Sequence, residues 1–233
     1  MNISVVIIAH NEEAWIERCI TSIVPQAPAE IIIVAHNCTD RTVELAKKYP
    51  VKVIECTGDG GPIYARMVGI KEAVGDIIVC TDGDAWVGKN WISEIVKPLN
   101  NPAVSIVAGY TTIMNNMIWK LSSWWQFVIN RKFLNKQEHR FAWGSNMAFR
   151  KADYEKVGGL EKFLDVYQQV GVKLYAEDLY ISLALQKIGK FTVALGARVC
   201  TYLPSEKASL AAQRRIVSIQ QQDNAIIRKF LNI

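Results

Sequence analysis

The sequence lacks the marks of a disulfide-stabilised, zinc-stabilised or secreted protein. Its 233 residues hold an odd number of cysteines, and no two of them form a CxxC pair. The five are Cys19, Cys38, Cys56, Cys80 and Cys200. This spacing argues against a disulfide framework and a structural zinc site, and it favours a reducing compartment. The N-terminal run Met1–Ile8 has no basic segment and no small-residue cleavage site, so we predict a strand there rather than a signal peptide.

Long apolar runs are also missing. No window offers the roughly twenty consecutive apolar residues that a helix needs to cross a bilayer. We therefore expect a cytoplasmic protein, or a peripheral one at the cytosolic face of a membrane. The formal charge of +5 suits phosphorylated ligands or an anionic membrane surface but requires neither. Without an internal repeat, a low-complexity segment or a linker, the chain is expected to form one domain over residues 1–233.

No glycine-rich phosphate loop follows the first apolar run, where the sequence reads His10-Asn11-Glu12. The missing GxGxxG disfavours a Rossmann dehydrogenase. The missing glycine-rich, basic loop disfavours a nucleotidyltransferase, although that class shares an α/β layout and carboxylate metal ligands.

What the sequence does have is a regular alternation of strand and helix signals over its first hundred residues. Apolar runs rich in β-branched residues predict strands over Ser4–Ala9, Glu30–Val34, Val51–Glu55 and Asp76–Thr81. The stretches between them predict helices over residues 12–24, 39–48 and 63–73. Strands that are apolar without alternation are buried on both faces, so the pattern predicts a parallel sheet covered by helices on both sides. Further along we predict a strand over Val104–Tyr110, a loop over Val157–Leu160, and helices over Tyr175–Ile188 and Ser205–Ile233.

Polar clusters follow three of these strands, namely His10-Asn11-Glu12, His36-Asn37 and Asp82-Gly83-Asp84. Ligands of parallel sheets bind at the carboxyl ends of the strands, so we expect the clusters to share one rim. The carboxylates of Asp82 and Asp84 repel each other unless a positive charge lies between them. Mg²⁺ takes carboxylate oxygens and completes its shell with diphosphate oxygens, which indicates a nucleotide-diphosphate ligand. The alternative is a surface turn carrying two solvated acids.

An aromatic stretch over Ile113–Phe133 contains three tryptophans, with basic residues nearby. Such a stretch is typical of a helix in a membrane interface, and equally of a core or dimer helix. Both interpretations stay open.

The order of these motifs resembles that of family-2 inverting glycosyltransferases with the GT-A fold. The matching segments are Val5–Glu13, Asn37–Thr42, Ala65-Arg66 with Gly69, Asp82–Asp84, Gly144–Arg150, Val157–Gly159 and Glu177-Asp178. The resemblance implies an α/β, Rossmann-like sandwich with a mostly parallel central sheet, helices on both faces and a helical C-terminal extension. It implies a nucleotide-sugar-binding half over residues 1–110, an acceptor-binding half over 111–200 and a helical tail over 201–233.

The resemblance also implies roles for individual residues. Asp82 and Asp84 match the metal and nucleotide-sugar motif, with Mg²⁺ or Mn²⁺ stabilising the departing diphosphate. Asp178 matches the base that takes the acceptor hydroxyl proton as the oxygen attacks the anomeric carbon, although an acid at a helix start also simply complements the helix dipole. The implied donor-binding residues are Ala9, Asn11, Glu12, His36, Asp40, Arg66, Asp82 and Gly83. The implied acceptor-side residues are Trp143, Gly144, Ser145, Asn146 and Glu177.

Two departures from the family pattern limit what it implies. Family members commonly carry an acid directly after the second strand, where this chain reads Ala35-His36. The identity of the donor base is therefore open, and His36 either contacts the base or only fills space. The chain also lacks the Gln-x-x-Arg-Trp motif and the membrane spans of processive synthases, which favours a transferase that adds one sugar.

The expected partners are a nucleotide-sugar donor and a sugar or lipid-linked acceptor, with peripheral membrane contact at the aromatic stretch and no nucleic acid. The sequence does not determine the oligomeric state. Because of the missing acid at Ala35-His36, a non-catalytic nucleotide-sugar-binding protein remains the alternative.

Overall fold

The computed structural model describes residues 1–58, 60–114, 121, 124, 141–170, 176–202 and 223–233. Over these residues the strands form a single mixed sheet with the order β3-β2-β1-β4-β7-β6-β8-β5. The strands are β1 (Ile3–Ala9), β2 (Glu30–His36), β3 (Lys52–Cys56), β4 (Ile77–Asp82), β5 (Ala85–Val87), β6 (Val104–Ile113), β7 (Met147–Arg150) and β8 (Lys190–Thr201).

The half of the sheet built from β1 to β4 is parallel, as predicted. Its strands are continuous runs of β-branched residues because helices cover both of their faces. Val5, Val6 and Ile7 of β1 are fully buried, as are Ile32 and Ile33 of β2. The carboxyl ends of these strands therefore point to one edge of the molecule.

The other half of the sheet mixes directions. β7 runs antiparallel between β4 and β6, β8 runs parallel to β6, and β5 pairs antiparallel with the end of β8. Of these four strands, only β6 was predicted. The predicted loop over Val157–Leu160 is wrong in its second part, because a helix begins at Gly159. Gly158 and Gly159 have φ angles of +91° and +55°, so they make the left-handed turn that ends one helix and starts the next.

Helices cover both faces of the sheet, as predicted. They are α1 (Ile16–Ile23), α2 (Thr42–Ala46), α3 (Gly61–Glu72), α4 (Trp91–Val96), α5 (Lys151–Lys156), α6 (Gly159–Val170), α7 (Glu177–Gln186) and α8 (223–231). One face packs against α1, α2 and α4 through a core that includes Ile16, Leu45 and Trp91. The opposite face packs against α3, α5, α6, α7 and α8 through a second core that includes Ile63 and Tyr180. Of the predicted C-terminal helix, residues 205–222 lie outside the described residues.

Most of the aromatic stretch Ile113–Phe133 also lies outside the described residues. Of its few described members, Leu121 and Trp124 have more than half of their surface exposed. In the described parts of the chain, no helix has both the length and the apolar character that a membrane span requires.

Candidate active site

The carboxyl ends of β1, β2 and β4 meet at one edge of the sheet. Ile8 pairs with Asp82 across β1 and β4, and Ala9 pairs with Ala35 across β1 and β2. The three polar clusters that follow these strands therefore share one rim.

The turn Asp82-Gly83-Asp84 is fastened to the end of β1. The N–H of Gly83 donates to the carbonyl oxygen of Ile8 at 2.9 Å. A Cβ on Gly83 would lie 3.0 Å from the Cβ of Ala9, closer than almost all real contacts of this kind. A side chain at this position would displace Ala9 or Glu12 by a few tenths of an ångström, so glycine favours the close approach of the turn to Ala9.

Negative charge accumulates around this turn. The thiol of Cys19 is buried beneath it, and burial raises the pKa of Cys19, helped by Asp84, Asp82 and Glu12. Among the described residues, no group of three or more side chains is arranged to hold a metal ion alone. Mg²⁺ is commonly bound by one or two carboxylates together with phosphate oxygens of a ligand. Asp82 and Asp84 fit this arrangement.

The guanidinium of Arg66, on α3, lies directly below the rim with 1% of the residue exposed. Its Nη2 donates to Oδ1 of Asp82 at 3.0 Å, and its Nε donates to Oε1 of Glu177 at 3.3 Å. Its Nη1 donates to the carbonyl oxygen of Gly144 at 3.1 Å. Burial lowers the pKa of Arg66, but Asp82 and Glu177 outweigh that effect, so the guanidinium stays charged. Arg66 therefore connects β4, the start of α7 and the segment before β7.

The acidic pair Glu177-Asp178 begins α7. Oδ2 of Asp178 accepts the N–H of Gly144 at 3.1 Å, and Oδ1 accepts the N–H of Leu179 at 2.7 Å. Burial raises the pKa of Asp178, while the bond from Gly144 and the charge of Arg66 oppose the rise. Burial likewise raises the pKa of Glu177 to about 7, with Arg66 opposing the shift and Asp178 adding to it. The raised pKa lets Glu177 exchange a proton near neutral pH, and the raised pKa of Asp178 makes its carboxylate a stronger proton acceptor.

Segment 142–146 runs beside α7 and carries the predicted acceptor-side residues. The N–H of Ala142 donates to the hydroxyl of Ser182 at 2.9 Å, one helical turn after Asp178. A Cβ on Gly144 would lie 2.5 Å from Nη2 of Arg66, so only glycine fits against the guanidinium. Trp143 is half-buried at this place, whereas Ser145 is buried.

The side chain of Asn146 is engaged inside the fold rather than presented to the rim. It is 1% exposed, its Oδ1 accepts the indole N–H of Trp91 at 2.8 Å, and its Nδ2 donates to the carbonyl of Ala197 at 3.1 Å. A Cβ on Gly109 would lie 2.3 Å from the same Oδ1. The structure thus gives Asn146 a scaffolding contact between β7, α4 and β8.

Hydrogen bonds join the loop after β1 to the loop after β2. Asn11 adopts φ of 56°, and its Oδ1 accepts the N–H of Thr39 at 2.8 Å. Asp40 accepts the N–H of Glu13 at 3.0 Å and both the N–H and the hydroxyl of Thr42. Burial raises the pKa of Asp40, but these hydrogen bonds outweigh it and lower the pKa overall. The carboxylate of Asp40 thus organises the loops, and the N–H of Glu12 reaches the same Thr42 hydroxyl at 2.7 Å.

The imidazole of His36 is buried at the end of β2. Its Nε2 has no hydrogen-bond partner within the described residues, and its backbone carbonyl contacts Nδ1 of His10 at 2.8 Å. Burial lowers the pKa of His36, and His10 adds to that effect, so the ring is neutral. A cavity of about 360 Å³ opens close by, and it is lined by Ala35, Cys38, Val43, Glu55, Cys56, Thr57 and Tyr64.

Sequence reasoning missed the contribution of Cys56, Thr57 and Tyr64 to this cavity, and that of Ser182 to the position of segment 142–146. An apolar run followed by a polar residue signalled the ends of β1, β2 and β4. No comparable local signal marks a serine inside a helix or a tyrosine on a helix face, because their neighbours come from distant parts of the chain.

The family model described as Glycosyl transferase family 2 matches residues 4–158. Dolichol-phosphate mannosyltransferase of Pyrococcus furiosus is 34% identical over 108 residues, which cover 43% of this chain and only 31% of that relative.

Solved structures share the fold. TarS 1–349 of S. aureus, in complex with UDP, gives a TM-score of 0.62 at 18% identity, covering 100% of this chain and 71% of that one. Mannosyltransferase PcManGT from Pyrobaculum calidifontis, in complex with GDP-Man and Mn²⁺, gives 0.66 at 18% identity, covering 89% and 58%. These likenesses confirm the predicted GT-A type of α/β fold. Because the family model covers well over half of the 233 residues, the chain belongs to glycosyl transferase family 2.

Proposed function

We propose that this chain transfers one sugar from a nucleoside-diphosphate sugar to an acceptor hydroxyl, with inversion at the anomeric carbon and with bound Mg²⁺ or Mn²⁺. The observation that carries the proposal is the buried guanidinium of Arg66, which contacts both Asp82 and Glu177. One side chain therefore connects two groups of acids. The turn Asp82-Gly83-Asp84 is suited to a metal ion with a diphosphate, and the pair Glu177-Asp178 is suited to proton transfer. A solvated surface turn would not need such a buried counter-charge.

Asp178 is the proposed base. Its burial raises its pKa, which strengthens the carboxylate as a proton acceptor at neutral pH. As the acceptor oxygen bonds to the anomeric carbon, Asp178 takes the hydroxyl proton, and the bond from that carbon to the diphosphate oxygen breaks on the opposite side. Glu177, held by Arg66, keeps the first turn of α7 in place during this exchange.

Asp82 and Asp84 are the proposed metal ligands, with Gly83 letting the turn lie against Ala9. A divalent ion held there supplies charge stabilisation to the leaving diphosphate. The rest of the donor would extend over Asn11, Glu12 and Asp40 toward His36 and the cavity beside it.

The donor and acceptor classes follow from the site and from relatives. TarS of S. aureus is found in complex with UDP and PcManGT in complex with GDP-Man, so both bases belong in the test. The mannosyltransferase of Pyrococcus furiosus is named for dolichol phosphate, which supports a lipid-linked acceptor beside a free sugar. Trp143 and Gly144 would contact the acceptor. Residues 113–133 would make a peripheral contact with a membrane, and the protein would be cytoplasmic.

The proposal is tested by thermal unfolding against UDP-, GDP-, TDP- and CDP-sugars, each with and without Mn²⁺. A ligand that binds only the folded state stabilises it by about 2.7 kcal/mol at one hundred times its Kd, which is a shift of several degrees. We expect one base to raise the melting temperature in a metal-dependent way, and Asp84→Asn to abolish the shift.

The matched control is Asp76→Asn, because Asp76 directly precedes β4 at the end away from the rim and its carboxylate accepts the N–H of Asn2. This variant should keep the ligand shift. Absence of a shift with every donor in the unmutated protein would refute the proposed donor site.

The alternative, a non-catalytic nucleotide-sugar-binding protein, is favoured by one observation. Ala35 and His36 occupy the place after β2 where an acid is expected, and neither side chain supplies a carboxylate there. Incubation of the stabilising donor with a panel of sugar and polyprenyl-linked acceptors separates the two. Release of nucleoside diphosphate supports the transferase, whereas tight binding without release supports the alternative.

A further inference from the structure

Gly144 is held through both of its backbone groups. Its carbonyl accepts from Nη1 of Arg66 at 3.1 Å, and its N–H donates to Oδ2 of Asp178 at 3.1 Å. The Cα lies so close to the guanidinium that a Cβ would come within 2.5 Å of Nη2. Arg66 and Asp178 therefore bind different backbone groups of one residue, so a shift of either side chain changes its hydrogen bond to Gly144.

The guanidinium nitrogens of Arg66 fix the position of Gly144 relative to the turn Asp82-Gly83-Asp84. Nη1 donates to the Gly144 carbonyl, and Nη2, the nitrogen nearest to where a Cβ of residue 144 would lie, donates to Asp82. Nε is held by Glu177, whose carboxyl group is the neighbour of Asp178 in sequence. With 1% of its surface exposed, the guanidinium has no room to take another orientation.

We infer that Arg66 is a positioning residue for Asp178, acting through the backbone of Gly144 to set the distance between the base and the acidic turn. The inference rests on the proposed function in one respect, because Asp178 is the proposed base. It differs from the sequence-based expectation, in which Arg66 contacts the donor directly.

The contact has a measurable electrostatic consequence. Among the described residues, the charged groups that act on Asp178 are Arg66 on α3, Asp82 on β4 and Glu177 on α7. The charge of Arg66 and the Gly144 hydrogen bond both oppose the rise in the pKa of Asp178 that burial causes. Displacing the guanidinium or the N–H must therefore raise that pKa further.

The experiment follows the backbone N–H resonance of Gly144 by NMR in the ligand-free 233-residue chain across a pH titration. This resonance reports the ionisation of the carboxyl group that it contacts. Arg66→Lys keeps the charge but replaces the planar fork with a single nitrogen. Gly144→Ala keeps the guanidinium of Arg66, but the added Cβ displaces it from residue 144. The backbone N–H resonance of residue 144 remains observable in this variant.

We expect both variants to shift the resonance and to move its titration midpoint upward by about one pH unit. The control is Arg150→Lys. Arg150 also forms a fork, to Asp153 and to the carbonyl oxygens of Val104 and Asn101, but it does so away from the rim. This control should lower the melting temperature and leave the midpoint unchanged.

An unchanged midpoint in folded Arg66→Lys and Gly144→Ala proteins would overturn the inference. If either variant fails to fold, Glu177→Gln replaces it. That change removes the charged partner of Nε at nearly constant volume, and it should shift the Gly144 resonance through the released guanidinium, whereas an unshifted resonance counts against the inference.

Activity gives a second, separate readout. Where a donor has been found, Arg66→Lys should lower kcat about 10²-fold, the cost of a small misplacement of a catalytic group, and move the acidic limb of the kcat profile to higher pH. If no donor binds the unmutated protein, the proposed function fails while the NMR titration still decides whether Arg66 positions Asp178.

Discussion

The ionisation of Glu177 contributes to the stability of the folded protein in a way that depends on pH. It is 5% exposed and shares its surroundings with Asp178 and Asp82, while Arg66 is the cation in contact with it. Its pKa rises from the ordinary 4.5 to about 7 in the folded protein. Between these two values the folded state binds more protons at this group than the unfolded chain does, so its contribution to stability falls as the pH rises.

Glu177→Gln should remove this dependence. We expect the unfolding free energy of the variant, relative to the unmutated protein, to increase by about 1–3 kcal/mol between pH 4.5 and pH 7.5. Urea unfolding at a series of pH values measures the difference. Glu155→Gln, at an exposed position on α5, is the control and should show no trend. A flat difference for Glu177→Gln would mean that Arg66 keeps this carboxyl group ionised throughout.

At the scale of elements, α7 organises the acceptor side by holding segment 142–146 at two points one turn apart. Asp178 binds the N–H of Gly144, and Ser182 binds the N–H of Ala142. Both Ala142 and Ser182 are fully buried, so their hydrogen bond has no water to replace it. The position of the candidate base is therefore coupled to a serine that makes no contact with the rim.

Ser182→Ala should leave the N–H of Ala142 buried without a partner. We expect a loss of about 1–3 kcal/mol in the unfolding free energy, measured by urea denaturation. Ser93→Ala on α4 is the matched control, since the Ser93 hydroxyl bonds a carbonyl at an exposed site. A loss no larger than that of the control would show that Ala142 finds another acceptor when the hydroxyl is absent.

The elements differ in how far the sequence predicts them. Strands β1 to β4 are apolar without interruption because both faces are covered, and that pattern is visible locally. β8 alternates irregularly between buried and exposed residues and is interrupted by register shifts against β6, so no period marks it. β7 has only four residues, and its antiparallel place between β4 and β6 follows from distant pairing.

The residues of the candidate site also differ in how far the sequence predicts them. Asp82, Asp84 and Asp178 stand out from the sequence because each follows a strand or begins a helix within a motif. The burial of Arg66 and the need for glycine at position 144 follow from contacts between residues 78 positions apart. Such contacts depend on how α3 and segment 142–146 pack, which no local pattern encodes.

At the scale of the whole molecule, the C-terminal helix α8 is part of the core that supports the site. Ile227 and Leu231 are buried in the cluster that also contains Ile63 of α3 and Tyr180 of α7. Nζ of Lys187, just beyond α7, donates to the carbonyl of Leu231 at 2.6 Å. The helix is therefore attached to the end of α7, which carries Asp178, and shares one core cluster with α3, which carries Arg66.

Ile227→Ala tests this attachment. Removing a fully buried isoleucine side chain should lower the unfolding free energy by about 2–5 kcal/mol, because the lost transfer energy is joined by the cost of a cavity. Ile233→Ala is the control, since Ile233 is 53% exposed only six positions further on, and its loss should be within about 0.5 kcal/mol. If α8 supports the site as well as the core, the Gly144 N–H resonance in the Ile227→Ala protein will broaden or shift while it stays unchanged in the control. A large loss of stability with an unmoved Gly144 resonance would confine α8 to a purely stabilising role.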